Sequence, residues 1–435
     1  MAGTTNFLTV WMNGEKVATW SRPNGGHELA YEPQWVASAH GRPLSLSLPF
    51  VPTNIPHRGE RVRMFFENLL PDRPEVRNRL RNRFGASSAQ AFDLLAEIGR
   101  DCVGAIQLLR PEDDPPQVQT IEGVPLSQDE ISRQLDIAGG LLLPGFDLED
   151  FRISLAGAQE KTAFLWHDGR WQKPLGSTPS THIFKLPLGR IGGISSLGAG
   201  SVENEWLCSR IVRSYGLPVA ETQMISFESK KILVVERFDR KLAADGTWWV
   251  RLPVEDFCQA KGLPSEKKYE SDGGPGIDSI LATLAGSEVP AIDRLTFFRA
   301  QIVFWLLAAT DGHAKNFSIF HGPRGTYRLA PLYDILSMYP WMGKSSNQLP
   351  IQKLKMAMAV RDKNAHYHWS SIYRRHWEVV AARNGLGRDF PTMIAELIDR
   401  TPEVINTVSA ELPADFPSSV AEPILDGLTQ ASKRF

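Results

Sequence analysis

Three residues in the second half of the chain have the types and spacing needed to move a phosphoryl group. Asp311 opens Asp311-Gly312-His313-Ala314-Lys315-Asn316, and Asp334 follows Asn316 by eighteen residues, in Leu332-Tyr333-Asp334-Ile335. An Asp with an Asn five positions later is the spacing of a phosphotransferase catalytic loop, where the Asp takes the proton of the attacking hydroxyl and the Asn holds magnesium. An Asp bracketed by apolar residues can offer the second hard oxygen ligand that magnesium requires. A plain polar turn accounts for the same residues, because Asp-Gly is a common turn pair and Asn suits loops. A phosphate-binding element belongs upstream. Ser154-Leu155-Ala156-Gly157-Ala158-Gln159-Glu160-Lys161-Thr162 offers small residues through which backbone N–H groups can approach an oxyanion. It lacks the second glycine and the spacing of a Walker A loop, and an ordinary β-turn reads equally from it. Lys185 sits in an apolar run, His182-Ile183-Phe184-Lys185-Leu186. A buried lysine needs a partner, which a phosphate would supply with Glu205 as its anchor, unless the side chain snorkels to water. Glu236-Arg237-Phe238 ends a strand that could join two lobes and offer backbone groups to a purine edge.

Composition bounds what these residues serve. The chain has 435 residues, 42% of them apolar and 22% charged, which excludes a mainly disordered, collagenous or coiled-coil protein. Lys+Arg number 48 and Asp+Glu 49, for a net charge of −1, so no global basic field holds nucleic acid. Three scattered cysteines, Cys102, Cys208 and Cys258, form neither a disulfide framework nor a metal motif and suit a reducing compartment. No apolar run is long enough to span a membrane and no signal peptide is legible, so a cytoplasmic location is expected. His366, His368 and His376 lack a cysteine or acidic partner at zinc spacing, and no metal centre is expected there.

The elements that must position the site follow from periodicity. Residues 9–12 and 16–20 read as a hairpin around Asn13-Gly14, and 162–166 with 170–172 as another around Asp168-Gly169. Leu44-Ser45-Leu46-Ser47-Leu48 alternates strictly and predicts a strand. Helices are predicted over 62–70 and 74–84. The second carries Arg77, Arg79, Arg81 and Arg83 just after Arg73, as a solvated face or as a surface for an acidic partner. Residues 111–125 are a proline-rich bridge, Ser127 and Glu130 form a capping box, and a domain boundary lies between about 111 and 149. Strands are expected at 182–186, 224–227 and 232–235, with a helix over 203–215. The stretch 295–309 is apolar on nearly every face and predicts a buried helix. Gly273-Gly274-Pro275-Gly276 reads as a flexible loop. The predicted layout is a front module over 1–125, a strand-rich nucleotide-binding lobe over 126–240 and a helical catalytic lobe over 241–435. A cleft between a β lobe and an α lobe is a common nucleotide site.

Taken in order, several motifs resemble the HipA family of toxins from type II toxin–antitoxin systems. They include Arg42-Pro43-Leu44-Ser45-Leu46-Ser47-Leu48-Pro49, Glu67-Asn68-Leu69-Leu70-Pro71-Asp72, Phe92-Asp93-Leu94-Leu95-Ala96-Glu97-Ile98-Gly99-Arg100-Asp101 and Phe151-Arg152-Ile153-Ser154. Val235-Glu236-Arg237-Phe238-Asp239-Arg240, Tyr269-Glu270-Ser271-Asp272-Gly273-Gly274-Pro275-Gly276 and the 310–316 motif complete the set. The resemblance implies an α+β, bilobal, protein-kinase-like fold related to lipid kinases, with a β-rich N-terminal module and an all-helical C-terminal lobe. It implies a serine/threonine protein kinase using ATP and magnesium. Asp311 would be the base, and Asn316 and Asp334 the metal ligands. Ala156, Gly157, Ala158, Gln159, Glu160 and Lys161 would form the phosphate loop, and Lys185 would hold phosphates. Glu236, Arg237 and Phe238 would meet adenine, and His313 and Tyr333 would line the site. Ser154 matches a serine that family members autophosphorylate. A phosphoserine adds about −1.5 to −2 charges, which would displace an anion-binding loop and switch the enzyme off. The implied partners are a HipB-like helix-turn-helix antitoxin, operator DNA mainly through it, and an aminoacyl-tRNA synthetase substrate, the glutamyl type favoured, whose modification stalls translation and promotes dormancy and persistence. A corepressor role in an antitoxin–operator complex and a small-molecule kinase are the alternatives. The segment 344–375 holds seven basic residues against Asp362 and could touch operator phosphates.

Overall fold

The structure, a computed structural model, describes residues 6–140, 154–157, 159–188, 198–345 and 347–435. Phe151-Arg152-Ile153, Ala158 and residues 141–149 of the expected boundary lie outside the described residues.

The N-terminal module is an antiparallel five-stranded sheet in the order His57–Arg58, Glu28–Tyr31, Glu15–Ser21, Phe7–Met12, Ile106–Leu109. Asn13 and Gly14 take φ of 47° and 85°, as a tight right-twisted hairpin turn requires, and the sequence pair placed there does so at little cost. Helices Glu60–Glu67 and Ala91–Ile98 cover one face of the sheet. Trp20 stacks on Phe66 with centroids 3.9 Å apart and meets the edge of Phe92. Leu44 to Leu48 is not a strand. Leu48 N–H closes a turn onto Ser45 C=O, while the Ser45 and Ser47 hydroxyls both donate to Gln259 C=O. The alternation is real but serves two cores: Leu44 and Leu48 face the N-terminal core and Leu46 packs on the C-terminal one.

A second, six-stranded antiparallel sheet follows in the order Thr222–Phe227, Lys230–Glu236, His182–Lys185, Lys161–His167, Arg170–Pro174, Gly123–Pro125. Its edge strand comes from the proline-rich bridge. Helix Gln128–Ala138, started by the Ser127/Glu130 capping box, and helix Ser201–Ser214 pack on it. The remainder is built around helix Pro290–Leu306, whose Phe297, Phe298, Ile302, Val303 and Trp305 are buried. Helices Ile277–Leu284, Arg374–Arg383, Phe390–Ala410 and Ser418–Ser432 surround it. This lobe is not all-helical as the resemblance implied: it also carries a three-stranded sheet (Val254–Asp256, Ser318–His321, Tyr327–Leu329) and a hairpin (Lys355–Arg361, Ala365–His368). Those strands are mostly three or four residues long, too short for alternation to show.

Candidate active site

The site is a cleft of about 710 Å³ where the six-stranded sheet, the helical lobe and the N-terminal module meet. Antiparallel register sets its upper wall. Lys161 and Lys185 lie directly opposite on neighbouring strands, so two ammonium groups enter one cavity. Like charges opposed in this way repel unless an anion joins them. Burial and then the Lys185 charge push Lys161 down to about 8, and its Nζ donates to Ala156 C=O at 2.9 Å. Gly157 holds φ at +105°, and a side chain there would begin 2.8 Å from Lys161 Nζ. Glycine therefore keeps the small-residue loop and the lysine compatible.

The lower wall comes from the turns after helix Pro290–Leu306. Ala308 at φ 49° reverses the chain, and Gly312 packs on Phe304, where a Cβ would lie 2.7 Å from the ring. His313, Asn316 and Asp334 are thereby aimed into the cleft. Lys185 Nζ donates to Glu205 Oε1 at 2.5 Å and to Asp334 Oδ1 at 2.8 Å, and Asn316 Nδ2 donates to Asp334 Oδ2 at 3.2 Å. Burial opposes both charges, yet Asp334 and Glu205 hold Lys185 above the usual lysine range, while Lys185 and Lys161 hold Asp334 well below the usual carboxylate range. Asn316 Oδ1 is buried and has no hydrogen-bond partner among the described residues. An orphaned amide oxygen beside an ionised carboxylate fits a hard divalent cation. Asp311 stands at the mouth with a 62% exposed side chain.

Fourteen of the residues singled out from the sequence line this one cleft: Ala156, Gly157, Gln159, Glu160, Lys161, Lys185, Glu236, Arg237, Phe238, Asp311, His313, Asn316, Tyr333 and Asp334. Two of these turn their polar ends elsewhere. The Tyr333 hydroxyl donates to Lys315 C=O and meets Ser318, leaving its ring beside that of Phe238, with centroids 5.7 Å apart. The Arg237 guanidinium is buried behind the cleft among Asp101, Asp239 and Ser180, so only its backbone borders the cavity. Ser154 lies outside the cleft. It is fully buried, and its Oγ donates to Leu69 C=O at 2.8 Å.

Sequence reasoning missed what the N-terminal module contributes. Asp72 and Arg73 line the cleft, and Asp72 Oδ2 accepts from Lys268 Nζ at 2.9 Å. It also missed Tyr269, whose hydroxyl donates to Asp311 Oδ1 at 2.6 Å. Tyr269 opens the glycine-rich motif, whose reading as a flexible loop hid it. The histidines need a correction as well, because an acid does reach them. Asp362 Oδ1 meets His366 Nε2 at 2.9 Å and Asp362 Oδ2 lies 3.8 Å from His376 Nε2, while His368 turns to Gln352 C=O. Tyr373 N–H points at His376 Nδ1, which keeps the proton on the Nε2 that faces Asp362. The Asp362–His366 hydrogen bond ties the hairpin together, and Asp362, His366 and His376 bring one potential ligand atom each within 4.8 Å of one another.

Residues 8–109 match the family model of the HipA N-terminal domain and residues 153–405 that of the HipA-like C-terminal domain. The chain belongs to the HipA family. Among its relatives, Y4mE of Sinorhizobium fredii is 35% identical over 416 residues, covering 93% of this chain and 92% of that protein. The serine/threonine-protein kinase toxin HipA of Shewanella oneidensis is 27% identical, covering 88% and 84%. The solved structure of HipA from Shewanella oneidensis with HipB and its operator DNA superposes with a TM-score of 0.79 at 25% identity, covering 98% of this chain and 97% of that one. The fold is kinase-like, as the HipA resemblance implied. No helix of the described residues is long and apolar enough to cross a membrane.

Proposed function

We propose that this HipA-family chain is a serine/threonine protein kinase that uses ATP and magnesium. The observation that carries the reading is the convergence of Lys185, Asp334 and the unpartnered Asn316 oxygen in one cleft, with Asp311 at its mouth. Asn316 and Asp334 would hold magnesium, which when bound neutralises charge on the phosphates. Lys161 and Lys185 meet the phosphate oxygens, with the loop around Ala156–Lys161 (Ala158 included) supplying backbone donors. The rings of Phe238 and Tyr333 flank the adenine, the backbone at Glu236–Phe238 reads its edge, and His313 lines the phosphate end. Asp311 accepts the proton of the acceptor hydroxyl as that oxygen bonds to the γ-phosphorus and ADP departs.

The wider reading is a toxin restrained by a HipB-like antitoxin on operator DNA, acting in the cytoplasm on an aminoacyl-tRNA synthetase, with the glutamyl enzyme favoured, to impose dormancy. Autophosphorylation at Ser154 switches it off; since Ser154 is buried against Leu69, the loop must leave that position to be modified.

Purified protein incubated with γ-labelled ATP tests the activity. Label transfer should fall by about 10²- to 10⁴-fold in Asp311→Asn. Transfer unaffected by that substitution defeats the assignment. Mass spectrometry of the labelled chain should find the phosphate on Ser154, and bacterial phosphoproteomes after brief expression of each form name the acceptor.

A further inference from the structure

The base of a phosphotransferase needs more than a reactive carboxylate. It needs one oxygen aimed at the acceptor, and an exposed Asp side chain on a turn rotates freely between rotamers. Asp311 is such a side chain, and among the described residues a single strong contact restrains it: the 2.6 Å hydrogen bond from the Tyr269 hydroxyl to Oδ1. The other oxygen, Oδ2, lies 4.0 Å from His313 Nε2.

Tyr269 is itself held. Its ring meets that of His313 edge-on, with centroids 5.1 Å apart, and Lys268 Nζ lies 5.7 Å from the ring centroid. Its carbonyl accepts from the N–H groups of Asp272 and Gly274. The next residue, Glu270, accepts from Ala359 N–H and from Arg361, both at 2.6 Å, which pins the turn to the Lys355–Arg361 strand. Gly276 closes over the Glu270 carboxylate, where a Cβ would fall 2.4 Å away. On the other side Lys268 C=O accepts from Ala314 N–H inside the catalytic turn. The glycine-rich segment is thus a rigid bracket that presents one hydroxyl to one carboxylate.

We propose that Tyr269 is a positioning residue for the catalytic base. Its hydroxyl occupies Asp311 Oδ1 and so commits Oδ2 to the acceptor. During transfer the acceptor O–H proton goes to Asp311 Oδ2, the acceptor oxygen forms the new bond to the γ-phosphorus, the bond to the β–γ bridging oxygen breaks, and ADP leaves with that electron pair. Tyr269 keeps its own proton throughout, because burial and the neighbouring Asp311 charge push its hydroxyl far above the usual tyrosine range. The proposal rests on the kinase reading and assigns a role within it.

The test measures label transfer from γ-labelled ATP, to the chain itself and to dephosphorylated casein, in wild type, Tyr269→Phe, Tyr269→Ala, Asp311→Asn and the Tyr269→Phe/Asp311→Asn double variant. Phenylalanine keeps the ring and its packing, so the melting temperature of Tyr269→Phe should match wild type. Losing one hydrogen bond to a charged group should lower the rate at saturating ATP by about 10- to 100-fold. The ATP concentration for half-maximal rate should not move, since Tyr269 is not among the residues that line the cleft. In the Asp311→Asn background the same substitution should cost nothing further, because it acts only through that carboxylate. A Tyr269→Phe protein at wild-type rate, with only Tyr269→Ala impaired, reduces the residue to packing and overturns the proposal. A faster Tyr269→Phe protein overturns it too, since the hydroxyl would then be blocking the acceptor's place. If wild type transfers no label, or Asp311→Asn loses none, the kinase reading itself has failed and the proposal falls with it.

Discussion

The residue that most directly tests phosphate binding is Lys161. Its ammonium is held down to about 8 by burial and by Lys185 across the strand pair. A bound phosphate raises that value, so nucleotide binding takes up a proton wherever free Lys161 is neutral. Affinity for ATP should therefore be flat below about pH 8 and fall above it, by up to about tenfold per pH unit until the bound-state pKa is reached. Titration calorimetry across pH 7 to 9.5 in buffers of different ionisation enthalpy would follow both the affinity and the proton. Lys161→Arg, charged throughout, should abolish the slope. Affinity that is level through this window would remove Lys161 from the phosphate site. Lys185 differs because two carboxylates keep it charged, so no break from Lys185 is expected there.

At the scale of elements, the turn that carries Asp311 is only as well placed as its seat on helix Pro290–Leu306. The helix is buried on nearly all faces, and the chain leaves it through Ala308 at positive φ and returns with Gly312 against Phe304. Gly312→Ala puts a carbon 2.7 Å from an aromatic ring in a packed core. Overpacking of this kind costs about 1–3 kcal/mol. The turn rather than the helix should yield, so phosphoryl transfer should fall more steeply than stability, with Asp311 displaced from the Tyr269 hydroxyl. Thermal melts beside rate measurements would separate the two. A variant with lower melting temperature and full activity would mean that the turn tolerates the shift. The helix itself was legible from its apolar run, as were the Asn13-Gly14 and Asp168-Gly169 turns, whose residues adopt the positive φ they favour. Leu44 to Leu48 was misread because alternation reports two buried sides and says nothing of strand pairing.

For the whole molecule, the N-terminal module and the kinase-like part share buried charges. Asp101 accepts from Arg240 at 2.9 Å and lies 3.5 Å from both Arg237 and Arg251, while Arg237 and Arg240 also donate to Cys102 C=O. Burial opposes its charge, and the three arginines together hold the Asp101 carboxyl below its ordinary value. On the other side Asp239 pairs with Arg237 and Arg240 and accepts from Gly104 N–H at 2.7 Å. Gly104 cannot carry a side chain, since a Cβ would lie 2.7 Å from Val254 C=O. Removing one partner from a buried ionic cluster costs about 3–5 kcal/mol. Asp101→Ala should therefore lower the unfolding midpoint of the entire chain as one transition, although Asp101 does not itself line the cleft. The N-terminal module melting separately from the rest would show that the cluster does not couple them.

The chain's linear order carried the candidate site residues. An Asp and an Asn at fixed spacing on one turn, an Asp in an apolar bracket and a small-residue loop before Lys161 are local features, so their types and separations are readable without coordinates. Contacts between segments remote in sequence are not, because a side chain's partner depends on which turn the fold brings beside it. Tyr269 reaching Asp311, Asp72 of the first module reaching Lys268, the orphaned Asn316 oxygen and the burial of Ser154 against Leu69 all have that origin.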